Sequence, residues 1–313
     1  MVFIFFTALS LAQQTPSYTQ FVLNQYALNP AVAGTNIGIE ATVGSRIQWV
    51  GIPNAPLTNF GSVTFGWRKN FSYRGHHGLG FYAEDDRQGM FGSKAVYVSY
   101  AYHLRIFTGL HIGAGISAGV RRMSINQLLY DSNDPALNFQ KAFGLLYPDI
   151  IPGLRIYTKK LFFDISARQL YVNRIRQGSF EIGSTGAKLN PTLIFSVKRR
   201  FALGSNAWTL VPAGMMQYEV NSLPYIQGNC MLFYQHRIGA GASVRGTSFA
   251  SAILQVRILK NIIGGFAYDY PTNKLRAAGA NSFELMLNFK PGNGEDEGNR
   301  PRINVAQCPD FDF

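Results

Sequence analysis

The chain has 313 residues, of which 47% are hydrophobic, 14% are aromatic and only 15% are charged. Because soluble domains carry about 25% charged residues and helical membrane proteins need long apolar runs, this composition argues against both a cytosolic enzyme and a helical membrane protein. The formal net charge of +12 comes from basic residues scattered as singles and pairs, which predicts no nucleic-acid partner.

The chain begins with a short apolar stretch, MVFIFFTALSLA, over residues 1–12. Ser10 and Ala12 place small residues where signal peptidase requires them, and Gln13 follows at once. The stretch is too short to cross about 30 Å of hydrocarbon as a helix. A buried first strand is the alternative, but it fits the following glutamines poorly. We therefore expect a signal peptide that is cleaved after Ala12.

Residues 13–35 precede the first predicted strand and are rich in apolar and aromatic side chains. Pro30 disfavours helical backbone at Asn29, and Gly34 permits a turn into the strand. A solvated periplasmic linker would leave this apolar surface wet, so we expect the segment to pack against something. The residues assigned to it are Tyr18, Gln20, Phe21, Asn24, Tyr26, Asn29, Pro30 and Gly34.

Residues 36–290 alternate apolar and polar side chains in stretches of about ten residues, which predicts strands with one apolar face. Leu161 and Phe163, for example, share the face opposite to Asp164. The segments lie near 37–49, 58–68, 78–86, 94–106, 110–124, 150–158, 161–172, 188–200, 207–219, 225–236, 238–247, 248–260, 261–271 and 281–290.

These segments number fourteen, and closed antiparallel bacterial barrels require an even number. The predicted fold class is therefore all-β, a closed antiparallel transmembrane β-barrel. A soluble β-sandwich is the alternative, but it would carry more outward Lys, Glu and Thr. In a barrel, residues 13–35 either plug the periplasmic mouth, with Gln20, Asn24 and Asn29 bonded to lumen groups, or form a contact face for a partner.

The predicted connections alternate in length along the chain. With residue 13 in the periplasm, the periplasmic connections are mostly short, namely 107–109, 159–160, 204–206, 237–238 and 260–261. The outer connections are mostly long, namely 87–93, 125–149, 173–187 and 272–280. This asymmetry is typical of bacterial outer-membrane barrels. A loop at 107–109 also sets Leu104 opposite Ile112 and Arg105 opposite His111.

Charges of both signs fall on the predicted inward faces, which predicts a lumen cross-linked by ion pairs. They are Glu40, Arg46, Arg68, Glu84, Arg121, Asp164, Arg168, Arg245, Arg257, Asp269 and Glu284. Whether such a lumen is a polar channel or a packed interior stays open at this point.

The sequence predicts no catalytic, metal or cofactor site. His103 and His111 face inward without a carboxylate to orient a catalytic base, so we expect lumen hydrogen bonds from them. His76 and His77 are expected in a solvated periplasmic turn. The acidic run at 84–86 is expected to form a loop rim, because no EF-hand calcium loop surrounds it.

The C-terminal residues 291–313 contain the run GNGEDEG, which cannot bury a core, and predict a flexible periplasmic tail. The stretch from Cys308 to Phe311 either docks on a partner or belongs to a disordered end. Cys308 and Cys230 are too few for a disulfide framework and are expected to be free thiols.

The stretch from Tyr18 to Gly34, YTQFVLNQYALNPAVAG, closely resembles the opening of the PorP/SprF family of Bacteroidetes outer-membrane proteins. Three further stretches resemble the family in the same order, namely RIQWVG at 46–51 followed by Ala55 and Pro56, GLG at 78–80 followed by Asp85, and IGGFAYDY at 263–270. The strand-motif residues taken from this resemblance are Trp49, Gly51, Pro56, Asp85, Tyr268, Asp269 and Tyr270. The resemblance extends from about residue 18 to residue 290. Phe283 stands where relatives tend to have histidine, so no role is assigned to it.

The resemblance implies an outer-membrane barrel of the type IX secretion system, needed for secretion or surface attachment of cargo such as gliding adhesins. Its implied partners are cargo with a C-terminal sorting domain, periplasmic or outer-membrane machine components, and the lipid bilayer. The family brings no catalytic residues. A passive porin or small-solute channel is the alternative function, and an outer-membrane hydrolase is a third class.

Overall fold

The computed structural model of the chain describes residues 17–68, 74–125, 144–170, 190–204, 207–219, 222–273, 276 and 279–291. A 3-10 turn covers Pro30–Val32. The strands that follow are β1 (Gly38–Ile47), β2 (Leu57–Trp67), β3 (Gly75–Gln88), β4 (Phe91–Phe107), β5 (Leu110–Ile125), β6 (Gly144–Tyr157), β7 (Leu161–Arg168), β8 (Thr192–Arg199), β9 (Phe201–Leu203), β10 (Trp208–Glu219), β11 (Tyr225–Tyr234), β12 (Ile238–Arg245), β13 (Phe249–Leu259), β14 (Ile262–Pro271) and β15 (Ser282–Phe289).

The strands form an antiparallel sheet that closes on itself. β1 pairs with β15, and β10 pairs with β11, which completes the ring. β8 and β9 are separated by Arg200 and both pair with β10, so together they occupy one strand position. The described strands therefore form a closed barrel of fourteen positions, which confirms the predicted fold class. Within the described ranges, no helix has the length and apolar character needed to cross a membrane.

Side chains alternate between an apolar outer surface and a largely polar lumen. In β4, Val98 is 58% exposed and Tyr100 is 43% exposed, whereas Tyr97 and Ser99 are buried. Valine, leucine, isoleucine and phenylalanine side chains are exposed in the same way on strands all around the barrel. An apolar outside and a polar inside reverse the pattern of a soluble protein and match a barrel surrounded by lipid.

The two ends of the barrel differ in the length of their connections. At the end called here the turn end, the strands are joined through 68–74, 108–109, 158–160, 204–207, 235–237 and 260–261. At the opposite end, the loop end, they are joined through 48–56, 89–90, 126–143, 169–191, 220–224, 246–248 and 272–281. Most turn-end connections are short, as predicted, and of the four connections predicted as long, one is contradicted by the described residues.

The prediction of a long connection at 87–93 is wrong. β3 and β4 extend further than predicted, and Gly89 and Met90 alone join them. Gly89 has a φ of 61°, a left-handed conformation that favours glycine in a tight hairpin turn. The pairing of β3 with β4 continues to Gln88 and Phe91, which leaves only two residues for the turn.

The remaining connections differ less from the prediction. β6 begins at Gly144 rather than near 150, so the preceding connection is shorter than expected. The predicted loop 173–187 lies outside the described residues. The predicted register is confirmed, because Leu104 pairs with Ile112 and Arg105 pairs with His111.

Candidate functional site

Residues 17–35, called here the lumen segment, lie inside the barrel. The backbone makes short turns, with hydrogen bonds from Leu23 N to Gln20 O and from Asn29 N to Gln25 O. Asn29 is extended, as its position before proline requires, and its Oδ1 accepts a hydrogen bond from Ala31 N at 2.9 Å. Most residues of the lumen segment are buried. Those that are at most 5% exposed are Tyr18, Thr19, Gln20, Phe21, Asn24, Ala27, Leu28, Asn29, Ala31, Ala33 and Thr35.

The start of the lumen segment binds a cluster of four buried charges near the loop end. Arg46 pairs with Asp269 at 2.5 Å and with Glu284 at 2.9 Å, and Arg245 also pairs with Asp269, at 2.6 Å. The backbone N–H of Thr19 donates to Glu284 at 2.8 Å, and its hydroxyl donates to Asp269 at 2.8 Å. Two arginines face two carboxylates, so every buried charge of this loop-end cluster has a partner.

Tyr18 binds the wall of the barrel at β3. Its hydroxyl donates to Glu84 Oε2 at 2.9 Å and lies 3.0 Å from the Tyr82 hydroxyl, and its ring packs edge-on against Phe60 with centroids 4.7 Å apart. Burial, followed by the nearby Glu84 carboxylate, raises the pKa of Tyr18 well above its ordinary value. The phenol therefore stays protonated and remains a hydrogen-bond donor.

The middle of the lumen segment is held by a second ion pair. Arg155 Nε donates to Asp164 Oδ1 at 2.7 Å, and Arg155 Nη1 donates to Thr35 Oγ1 at 3.1 Å. Asn29 Nδ2 donates to Asp164 Oδ1 and to the Leu154 carbonyl oxygen, both at 3.0 Å. The same Asp164 carboxylate thus binds the barrel wall and the lumen segment at once.

The end of the lumen segment meets two stacked histidines at the turn end. His76 Nε2 lies 2.9 Å from the Gly34 carbonyl oxygen, and His103 Nε2 lies 2.8 Å from the Ala33 carbonyl oxygen. The two imidazole rings are 4.6 Å apart and nearly parallel. The Tyr157 hydroxyl lies 3.0 Å from His103 Nδ1. The lumen segment therefore extends from the loop-end cluster to the turn end.

The prediction for His76 and His77 is wrong, because both belong to β3. The flanking glycines at 75 and 78 continue the strand instead of ending it. His76 faces inward and is buried, whereas His77 faces outward and stacks on Trp67 with centroids 5.3 Å apart. His103 forms a lumen hydrogen bond as predicted, and the inward His111 stacks on Tyr157.

Inward glycines make room for the backbone of the lumen segment. A Cβ atom at Gly78 would lie 2.0 Å from the Ala33 carbonyl oxygen, and one at Gly115 would lie 2.6 Å from Ala31 N. Gly34 itself has a φ of 76°, and a Cβ there would lie 2.4 Å from Gly78 Cα. The wall and the lumen segment approach each other so closely that only glycine fits at these positions.

Apolar contacts fill the space between these polar anchors. Phe21 and Leu28 form a buried cluster with Ile194 and Met215 of the wall. Tyr26 is half-buried, its hydroxyl lies 2.5 Å from Ser99 Oγ, and burial raises the pKa of Tyr26 to about 12.

The three amides that were expected to satisfy lumen groups differ in outcome. The Gln20 side chain donates from Nε2 to the Glu284 carbonyl oxygen at 3.5 Å and accepts from Gln255 Nε2 at 3.4 Å, and Asn29 makes the bonds described above. Asn24 is 1% exposed, yet its side-chain nitrogen and oxygen have no hydrogen-bond partner in the described part of the chain. The expectation for Asn24 is therefore wrong.

Most of the predicted lumen charges lie in the lumen. Arg46, Glu84, Arg121, Asp164, Arg168, Arg245, Asp269 and Glu284 are buried, and Glu40, Arg68 and Arg257 are half-buried. The prediction missed Arg155, which is fully buried. The signal was present in the sequence, because Arg155 alternates with Gly153 and Tyr157 within a predicted strand.

The expected acidic rim is wrong for Glu84 and Asp86, which are buried, whereas Asp85 faces outward and pairs with Arg87 at 3.0 Å.

Of the strand-motif residues, Asp269 alone touches the lumen segment in the part of the chain that the structure describes. Trp49, Gly51 and Pro56 lie in the loop-end connection between β1 and β2, where Gly51 has a φ of 96°. Tyr268 and Tyr270 flank Asp269 on the outer face of β14. The structure therefore does not gather the strand-motif residues into one site.

The chain matches the protein-family model described as type IX secretion system membrane protein PorP/SprF over residues 10–289. Its fold is similar to the CymD monoaromatic hydrocarbon channel, at 12% identity and a TM-score of 0.48 over 87% of this chain and 91% of that chain. It is also similar to Omp33 of Acinetobacter baumannii, at 8% identity and a TM-score of 0.48 over 82% of this chain and 100% of that chain. No curated protein sequence matches the chain.

Proposed function

Because the chain belongs to the PorP/SprF family of type IX secretion system membrane proteins, we propose that it serves secretion or surface attachment of cargo with a C-terminal sorting domain, such as gliding adhesins. The protein is a β-barrel of the outer membrane and is associated with the secretion machinery. In this proposal the turn end faces the periplasm and contacts machine components there, because short turns lie on that side in bacterial barrels.

The occupied lumen is the observation that supports this role over a passive channel. Tyr18, Phe21 and Leu28 are each at most 5% exposed, and burial of such side chains contributes about 1.5–3 kcal/mol each. A cavity beside Asn24 measures about 20 Å³, which is room for about one water molecule. A porin needs a continuous aqueous path, so a lumen filled in this way disfavours the porin alternative.

We assign the lumen segment as the element that adapts the barrel to secretion. The burial of Tyr18, Gln20 and Phe21 supports a plug over a contact face, since buried side chains are not available to a partner. The segment is longer than a plug of the periplasmic mouth alone, because it reaches from Gly34 at the turn end to Thr19 near the loop end.

The proposal also includes a signal peptide cleaved after Ala12 and a periplasmic tail at 291–313, which lie outside the described residues apart from Pro291. It assigns no catalytic residue, because the histidines of the lumen bind backbone carbonyls and aromatic rings rather than an orienting carboxylate.

The experiment is a variant with Tyr18→Ser, Phe21→Ser and Tyr26→Ser, expressed in the native host. We expect normal insertion, measured by heat-modifiable migration of the barrel, together with lost export or surface retention of the cargo. The matched control replaces two aromatic residues of the wall, Tyr147→Ser and Phe162→Ser, and is expected to keep export.

Conductance of the purified protein in a planar bilayer provides the second readout. We expect the unaltered protein to be closed and the triple variant to conduct, because loss of the three aromatic rings loosens the lumen segment. Unchanged cargo export by the triple variant would contradict the proposed role, and steady conductance by the unaltered protein would support the porin alternative.

A further inference from the structure

The hairpin connections of the turn end carry basic residues without acidic ones. The turn-end ring consists of Arg68, Arg74, Arg105, Lys159, Lys160, Arg199, Arg200, Arg237 and Lys260. The six connections of this end with their flanking residues, 67–75, 105–111, 157–161, 199–208, 234–239 and 259–262, contain no Asp or Glu. The nearest carboxylate on β1 is Glu40, which faces the lumen and accepts hydrogen bonds from Asn36 and Asn288. The loop end is different, because it mixes signs, as in the ion pair between Asp85 and Arg87.

Within the described residues, the members of the turn-end ring form no ion pairs. Four lumen arginines, Arg46, Arg121, Arg155 and Arg245, pair with carboxylates at 2.5–3.3 Å. Arg74, Lys159, Lys160, Arg237 and Lys260 are exposed. Like charges gathered without counter-charges create a positive potential that attracts an anionic surface.

The inner edge of the barrel opening at the turn end, called here the mouth, also carries basic groups without acidic partners nearby among the residues that the structure describes. Arg105 faces its cross-strand partner His111, and Arg68 lies within electrostatic range of both. His111 is 7% exposed, and its Nδ1 has no hydrogen-bond partner within the described ranges. This buried nitrogen lies beside two cations that form no ion pair among the described residues, a setting that favours an anionic group at the mouth.

We propose that the turn-end ring is the docking surface for an acidic face of a periplasmic protein of the secretion machine. The inference rests on the proposed function for its orientation, since the turn end must face the periplasm. It deepens that function by stating the chemistry of the partner, a protein surface rich in Asp and Glu that covers the mouth.

Position favours a protein over anionic lipid as the occupant. Lipid headgroups reach the outer circumference of a barrel, but Arg105 and His111 are an inward-facing pair at the mouth. The chain's own tail is the other candidate, because it follows β15 at the turn end and contains Glu295, Asp296, Glu297, Asp310 and Asp312. The tail also carries Arg300 and Arg302, so its five acidic and two basic residues leave a net charge of −3, which offsets only part of the nine cations of the ring.

The test compares two variants of the full chain, each with four basic residues replaced by glutamine, in nanodiscs of zwitterionic phosphatidylcholine. The turn-end variant carries Lys159→Gln, Lys160→Gln, Arg237→Gln and Lys260→Gln, all exposed positions outside the lumen contacts. The matched control carries Arg87→Gln, Lys94→Gln, Arg122→Gln and Arg276→Gln at or toward the loop end. The probe is fluorescein-labelled poly-L-glutamate, which imitates an acidic protein surface.

We expect the unaltered protein to bind the probe and the turn-end variant to bind it about tenfold more weakly, since several modest charge pairs are lost together. The control is expected to bind like the unaltered protein, and added salt is expected to abolish binding. Equal binding by both variants would overturn the inference.

Two further experiments test whether the chain's own tail or anionic lipid, rather than a protein, occupies the turn-end ring. Binding that rises about tenfold when residues 292–313 are deleted would assign the ring to the tail. Loss of probe binding in nanodiscs that contain phosphatidylglycerol would assign it to lipid, and either result would overturn the inference. Binding unchanged in both arms supports a protein partner.

Cargo export in the native host separates this inference from the proposed function. Reduced export by the turn-end variant, with normal insertion and an unaffected control, supports the inference. If the triple serine variant of the lumen segment loses export while the turn-end variant keeps it, the inference fails and the proposed function stands. If both variants keep export, both fail.

Discussion

Replacing Asn29 with alanine should release the lumen segment without unfolding the barrel. The Asn29 amide donates to the Asp164 carboxylate and to the Leu154 carbonyl, and its oxygen accepts from Ala31 N. A hydrogen bond to a charged group contributes about 1.5–3 kcal/mol and a neutral one about 0.5–1.5 kcal/mol, while loss of a capping side chain costs about 1 kcal/mol. The expected loss is therefore about 3–5 kcal/mol.

Hydrogen exchange measured by mass spectrometry reports this loss directly. Exchange through opening of the lumen segment should accelerate about 10²- to 4 × 10³-fold in peptides from residues 18–34. Peptides from the strands should keep their protection. The control is Asn190→Ala, which removes a bond to Glu219 at the loop end and should leave residues 18–34 unchanged. Exchange in Asn29→Ala within about threefold of the unaltered protein would refute the assigned anchoring.

Two further predictions concern packing and pH. Gly78→Val should raise exchange in residues 18–34 while the barrel still inserts, because its Cβ would lie 2.0 Å from the Ala33 carbonyl oxygen; unchanged exchange would contradict the tight contact. The pKa of Tyr26 is raised to about 12, so its contribution to stability should be complete below its unfolded value of 10.0 and lost as the pH rises to about 12. The urea midpoint in detergent should fall over this window more in the unaltered protein than in Tyr26→Phe, and equal falls would refute the assignment.

The sequence predicts the barrel well because each strand residue faces either lipid or lumen. The alternation of apolar and polar residues along each strand shows which side chains face the lumen. It therefore places Arg46, Asp269 and Glu284 correctly among the lumen charges. Errors arose where a local signal had two meanings. Glycines beside His76 are typical of a turn, but both lie in β3, where Gly78 closely approaches the backbone of Ala33.

The path of the lumen segment was beyond a local reading of the sequence. Its aromatic residues and amides indicated that it packs against something, but not against what. Thr19 and Glu284 are 265 positions apart, and no periodic pattern encodes such a contact. Asn24 shows the same limit, because its residue type predicted a hydrogen bond that the surroundings do not provide.

The loop-end cluster has a consequence for how the barrel is assembled. Arg46 and Glu284 are cross-strand partners on β1 and β15, so their ion pair lies on the seam where the first and last strands meet. Thr19 and Gln20 bind Glu284 from inside that seam. A segment enclosed on all sides is more readily enclosed during ring closure than inserted afterwards. We therefore expect the sheet to close around the N-terminal segment, whose bonds to Glu284 then hold the first and last strands together from inside.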